Sequence, residues 1–358
     1  MAVRVEVADG PQAHEAFVQF HERVYADRSA FWPSFASLDL PFIAGTGPLA
    51  EYRRCRTLLA RDGDAIVARA VAVWDERYHR HWKEPLGHVT KFEALPGARR
   101  AVRALIDAAC TWLGEHGATA VRTGFGPLDM PFAIDDYTSL PPSILRCNPP
   151  YYHALLKDAG FETERGFVDY RVVVRPELVA LWRDAVAAVV RAGYRLVPFR
   201  DLPPSERPAL VAGLFNETFA AHWGMSPVTV AEQATYLSLF EGTGGLDTSV
   251  VAFREDEAVG QVNVVPETTA YARVASGRTL AASERLNWLG IGVRKPARGR
   301  GVNLALAGYA FLELVRRGAS HVSYTLVLDD NWPSRRTAER LGGEVCANYV
   351  AYRRDLAR

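Results

Sequence analysis

Two arginines and two glycines alternate at Arg298-Gly299-Arg300-Gly301, between an apolar run (Trp288, Leu289, Ile291, Val293) and a helical pattern that starts at Val302. The spacing predicts a buried strand, a tight basic turn and a helix. That order is suited to holding an anion. Glycines let the backbone approach closely, the helix start offers unpaired N–H groups with a partial positive charge, and Arg298 and Arg300 add formal charge. A di- or triphosphate is the natural guest.

The run Arg298 to Val302, following V-x-x-P, resembles the pyrophosphate loop of the GNAT acyltransferases, Arg/Gln-x-x-Gly-x-Gly/Ala. Arg298 and Gly301 match it, and Asn303 stands where that family has Gly or Ala. Further on, Asn331, Ser334 and Gly342 fall in register with the family's closing motif, and Ala338 takes the place of its usual Tyr. The resemblance implies acetyl-CoA or another acyl-CoA as co-substrate and no metal. It places that co-substrate against Ile291, Gly292, Val293, Arg298, Gly299, Arg300, Gly301, Val302, Asn303, Asn331 and Ser334. In such a fold pantetheine lies along a free strand edge like an added strand, and the N–H of Ile291 or its neighbour faces the thioester carbonyl. Gly290 and Gly292 fit a bulge that would aim that N–H.

Acyl transfer also needs a neutral amine and a proton for the departing thiolate. The family often places a Glu on the first of its splayed strands. By register Asn287 occupies that place, and an amide cannot take a proton. Glu284 is the nearest carboxylate, with a solvated strand end as its plainer reading. Tyr324 on the second strand is a candidate acid or a core tyrosine. His222 is a candidate base, and His222, Trp223 and Tyr236 are candidates for acceptor contact. Equally, Trp223 packs under a loop and His222 caps a helix.

Composition narrows the setting. The chain of 358 residues has 49% hydrophobic and 23% charged residues and a formal charge of +1, which fits a globular protein of two domains and argues against a nucleic-acid partner. No apolar run is long enough to span a membrane. Cys55, Cys110, Cys147 and Cys346 are scattered without C-x-x-C spacing, as expected for reduced thiols in a cytoplasmic protein. His79, His81 and His88 raise the thought of a metal, because His-x-His on a strand puts both rings on one face, but they lack a suitably spaced carboxylate or cysteine. A solvated loop is the reading preferred here.

The rest of the pattern repeats itself. Strand, helix, hairpin, strand, helix and strand run from Val3 to Thr123, closing with Asn148-Pro-Pro-Tyr-Tyr and Gly160-Phe161, and the same order returns from Tyr194. Phe31 to Leu49, rich in Pro and Gly, reads as a loop. The expected fold is α+β, with two GNAT-like domains, each a mixed, largely antiparallel sheet flanked by helices. Residues 1–175 form the first domain, 176–193 a linker helix and 194–358 the second. The turn before the first domain's long helix, Leu95-Pro-Gly-Ala-Arg-Arg, has no R-x-x-G-x-G, so that domain is expected to be degenerate and to leave acyl-CoA to the second. The combination resembles bacterial tandem-GNAT proteins of about this length. It implies an N-acyltransferase acting on a small-molecule amine. The alternatives are a catalytically inactive CoA-binding or structural protein, and an aminoacyl-tRNA-dependent transferase, against which the near-neutral charge argues.

Overall fold

The computed structural model describes residues 2–142, 145–266 and 269–356. The first half contains β1 (Val3–Val7), α1 (Pro11–Val24), α2 (Ala36–Ile43), β2 (Arg53–Asp62), β3 (Ala65–Asp75), α3 (Glu76–Trp82), β4 (Leu86–Ala94), α4 (Arg99–Glu115), β5 (Ala120–Thr123), α5 (Tyr152–Asp158) and β6 (Glu162–Val173). After α6 (Pro176–Arg191) come β7 (Tyr194–Pro198), α7 (Arg207–Thr218), α8 (Val230–Thr243), β8 (Val250–Arg254), β9 (Glu257–Val265), β10 (Trp288–Val293), α9 (Val302–Arg316), β11 (His321–Leu328), α10 (Trp332–Arg340) and β12 (Glu344–Asp355).

The long helices follow their apolar stripes. In α4 the residues Val102, Leu105, Ile106, Ala109 and Leu113 are buried at helical spacing, and Val302, Ala305, Leu306, Ala310 and Phe311 do the same in α9. Each stripe lies on one face of a sheet and builds a separate core. Helix α8 is fixed at its start by a capping box between Thr229 and Glu232 and stops at Gly244, whose φ of 76° favours a residue without Cβ.

The two halves exchange their last strands. One sheet runs β1-β2-β3-β4-β5-β12-β6-β11, and the other runs β10-β9-β8-β7. Strand β12, from the end of the chain, pairs antiparallel with β5 of the first half, and β6 of the first half pairs with β11 of the second. The two exchanged strands pair with each other along most of their length, from Glu344 opposite Arg171 to Arg353 opposite Glu162. Each half's closing strand therefore completes the other half's sheet.

Two local expectations are corrected. The segment read as a loop contains α2, with Pro41 inside it, and a short strand Ala30–Phe31 that pairs with Arg273–Val274. The clustered Pro and Gly residues concealed it. His79 and His81 lie on a helix, not a strand, because the Asp75 side chain accepts from the N–H groups of Arg77 and Tyr78 and starts α3 there. Residues two apart on a helix do not share a face, and His81 instead hydrogen-bonds the Ala220 carbonyl at 2.6 Å.

Candidate functional site

Strands β10 and β11 are joined at their base and part beyond it. The Asn287 amide donates to the Ser323 carbonyl (3.2 Å) and accepts from the Ser323 N–H (3.0 Å), and the Thr325 hydroxyl accepts from the Leu289 N–H (3.3 Å). The contacts advance by two residues on both strands together, so the strands run parallel, held by side chains. Beyond Thr325 the strand β11 bulges. Its register against β6 shifts between Tyr324 and Val327, Leu326 adopts φ of 52°, and the Leu326 N–H turns to the buried Asp169 carboxylate at 2.9 Å.

The opening exposes a backbone edge. Ile291 pairs with Val262 and Leu289 with Val264 in an unbroken antiparallel ladder. Hydrogen bonding alternates along such a ladder, and the Leu289 N–H points to β11, so the N–H and C=O of Ile291 also point away from β9, into the gap. An N–H of Ile291 directed away from β9 therefore needs no bulge. The expected bulge at Gly290 and Gly292 is absent from the β9–β10 register, and the glycines have another reason. An added Cβ at Gly292 would collide with Thr218 at the end of α7.

At the end of β10 the chain turns through Arg298, Gly299, Arg300 and Gly301 into α9. Gly299 and Gly301 have φ of 76° and 80°, a region costly for residues with a Cβ. Gly301 caps α9 without any side-chain capping bond, so the N–H groups of Val302, Asn303 and Leu304 have no intrahelical partner. The Arg298 Nε donates to the Val293 carbonyl at 3.0 Å and pins the loop back to its strand, whereas Arg300 is exposed. Asn303 donates to the Thr337 hydroxyl at 3.0 Å and ties α9 to α10. Its larger side chain is thus turned toward α10. Asn331 caps α10 by accepting from the Ser334 N–H at 3.3 Å.

The candidate proton carriers separate clearly. The Tyr324 hydroxyl lies 3.1 Å from the Ser334 hydroxyl, on the first turn of α10, and burial raises its pKa. It stays protonated and can act as a donor. Ala338, one turn further on, is fully buried in the core. Glu284 is engaged by nearby donors. Burial alone would raise its pKa, but the N–H groups of Leu140 (2.8 Å) and Ala281 (3.0 Å) and the Arg278 guanidinium (2.7 Å) outweigh burial and lower it. Three donors thus hold the carboxylate in place. Asn287 is equally occupied by Ser323. His222 remains available: its Nδ1 lies 3.2 Å from the Trp223 carbonyl, its ring packs on Phe219, and burial lowers its pKa, which keeps the imidazole neutral.

Trp223 and Tyr236 pack against the first half. Trp223 stacks on Phe125 at 6.0 Å with the Arg122 guanidinium 4.0 Å over its ring. Tyr236 joins the cluster of Val71 and Val73, and burial pushes its pKa up to about 12. Both are contacts between the halves, and Trp223 also shares a cluster with Trp288 of β10 and Leu326 of β11. Nearby, the buried Glu232 carboxylate takes Arg53 and Arg77, each at 2.6 Å. Ser323 and Thr325 are residues the sequence reading missed. Their signal was the polar alternation Ser-Tyr-Thr within an otherwise apolar strand.

The corresponding gap in the first half is filled. The Phe92 carbonyl accepts from Arg146 (2.9 Å), the Ala94 N–H donates to the Tyr152 hydroxyl (2.9 Å), and the Ala94 carbonyl accepts from the Tyr151 hydroxyl (2.8 Å). The edge of β4 on which an added strand would lie is thus consumed by the protein's own side chains.

A family described as the acetyltransferase (GNAT) family matches residues 211–343. Among solved structures the chain is similar to the GCN5-related glucosamine N-acetyltransferase region of a fungal multi-domain GH3 β-N-acetylglucosaminidase, at 16% identity and a TM-score of 0.60, covering 98% of this chain and 38% of that one. It is similar to a tandem GNAT protein from the clavulanic acid biosynthesis pathway, at 14% identity and a TM-score of 0.60, covering 100% and 99% of the two chains. A GCN5-related N-acetyltransferase from Sphaerobacter thermophilus follows at 17% identity and a TM-score of 0.51, covering 99% and 95%. No curated protein matches the sequence. Among the described residues no helix is long and apolar enough to cross a membrane. The second half carries a domain of the GNAT acetyltransferase family, and the chain as a whole has the tandem-GNAT fold.

Proposed function

We propose that the protein is an acyl-CoA-dependent N-acyltransferase for a small-molecule amine, with one acyl-CoA site, in the second half. The observation that carries this reading is the contrast between two equivalent strand edges. Ile291 offers a free N–H and C=O beside an uncapped helix start, whereas Phe92 and Ala94 are occupied by Arg146, Tyr151 and Tyr152.

The diphosphate of CoA would sit on the N–H groups of Val302 to Leu304, with Arg300 free to screen its charge. The Ile291 N–H would hold the thioester carbonyl and stabilise the charge that develops on its oxygen. The neutral His222 imidazole can take the proton the amine gives up, and the Tyr324 hydroxyl can donate to the departing sulfur. The amine nitrogen forms a bond to the acyl carbon, the carbon–sulfur bond breaks, and CoA leaves as the thiol.

The test is release of free CoA thiol from acetyl-CoA across a panel of small amines. Thiol release that depends on added amine supports the reading. Tight acetyl-CoA binding without turnover of any amine would leave a CoA-binding protein instead.

A further inference from the structure

The face of the second sheet opposite α9 carries a row of buried polar groups with no partner among the described residues. In the β9–β10 ladder, Gln261 lies opposite Gly292, Asn263 opposite Gly290 and Val265 opposite Trp288. These residues share one face, because side chains alternate along a strand. Gln261 has no exposed surface, and neither its Oε1 nor its Nε2 has a partner. The Asn263 Oδ1 and the Trp288 Nε1 are likewise buried and unpaired. The other face of the same strands, with Val262, Val264, Leu289 and Val293, belongs to an apolar core.

Buried polar atoms are nearly always hydrogen-bonded, and each one left unpaired is destabilising. Three such side chains in one row form a set of hydrogen-bonding groups that one bound molecule could satisfy together, and Thr218 and Phe219 fill the space beside Gly292. The row flanks Ile291, whose N–H faces the gap between the strands. Thr218 and the Phe219 ring, at the end of α7, pack on it at Gly292, and the His222 ring packs on Phe219.

We infer that Gln261, Asn263 and Trp288 form the acceptor subsite and that it selects an amine bearing several uncharged hydroxyl or amide groups. The inference rests on the proposed acyltransferase activity. The chemistry of the row decides the class. Two carboxamides each offer a donor and an acceptor, the indole offers a donor, and none of Thr218, Phe219, Gln261, Asn263 and Trp288 carries a formal charge. Among these five side chains a polyamine would find no carboxylate, and an acidic amine would find no cation. Hydroxyl and amide groups, by contrast, can satisfy all three side chains at once. Gln261 is shut off in this structure, so the acceptor enters by lifting the turn from Phe219 to His222, which lies between α7 and α8.

The experiment measures CoA release from acetyl-CoA with glucosamine as the hydroxyl-rich amine and with spermidine and glutamate as charged ones. The wild type is expected to favour glucosamine by kcat/KM. Gln261→Leu is expected to raise the glucosamine KM by about tenfold, with the acetyl-CoA KM unchanged and the melting temperature equal or higher. Asn263→Ala is a second variant, nearer the open end of the row, and should act in the same direction. Preference for spermidine or glutamate overturns the inference. So does a Gln261→Leu protein that is more stable but has an unchanged glucosamine KM, because the row is then only structural. Failure of acetyl-CoA to bind in calorimetry would instead bring down the underlying acyltransferase reading, and binding of acetyl-CoA without turnover of glucosamine would bring down the inference.

Discussion

Replacing Asp169 by asparagine should abolish a specific part of the protein's pH-dependent stability. Asp169 lies on the exchanged strand β6, fully buried, with one oxygen accepting the Leu326 N–H. Burial pushes its pKa to about 7, against the lowering effect of the Leu326 N–H and the Tyr349 hydroxyl. In the unfolded chain the group returns to about 3.9. The folded state therefore holds the proton more tightly, and the stability it contributes is full below about pH 4 and is lost as pH rises through about 7. The difference of roughly three pKa units corresponds to about 4 kcal/mol. For a chain of this length that is a melting-temperature change of about 5 °C. An asparagine keeps the acceptor for Leu326 and has no charge to bury. The assay is thermal unfolding of both proteins at pH 5, 6, 7 and 8, with the difference taken at each pH so that other titrating groups cancel. The variant should gain on the wild type steadily from pH 5 to pH 7 and hold a constant lead above it. Parallel curves at all four pH values would refute the reasoning.

Tyr324→Phe removes the hydroxyl next to Ser334 and should lower kcat by about 10- to 100-fold with little change in the acetyl-CoA KM, as read by thiol release. His222→Gln should remove the acid limb of the kcat/KM profile, which in the wild type lies below pH 6.5 because burial lowers the imidazole pKa. Glu232→Gln leaves Arg53 and Arg77 without their carboxylate, and loss of such a buried partner costs about 3–5 kcal/mol. Thermal unfolding should show the loss, while acetyl-CoA still binds at the second half.

The parts of this molecule that depend on local pattern could be read from the chain. The stripes of α4 and α9 and the glycines around Arg300 each carry their own signal within a few residues, so the strand–turn–helix element stood out. The strand exchange was not readable. The alternation in Glu162–Val173 and Glu344–Asp355 says that one face is buried, but it does not name the neighbouring strand. Side-chain partners were equally hidden. Glu284 looked like a free carboxylate because Leu140, the donor that locks it, lies 144 residues away. Asn287 looked like a lost base and is a clamp on Ser323. The row formed by Gln261, Asn263 and Trp288 joins two strands separated by a long excursion, and only the register brings it together.

The most direct measurement is isothermal titration of the full chain with acetyl-CoA, repeated on Gly301→Glu. Gly301 has φ of 80° and stands at the start of α9, so glutamate adds about 1–2 kcal/mol of left-handed strain and a negative charge where the diphosphate should lie. One molecule should bind per wild-type chain and none detectably to the variant, with the variant still folded by circular dichroism. Two molecules per chain, or undiminished binding to folded Gly301→Glu, would contradict the one-site reading.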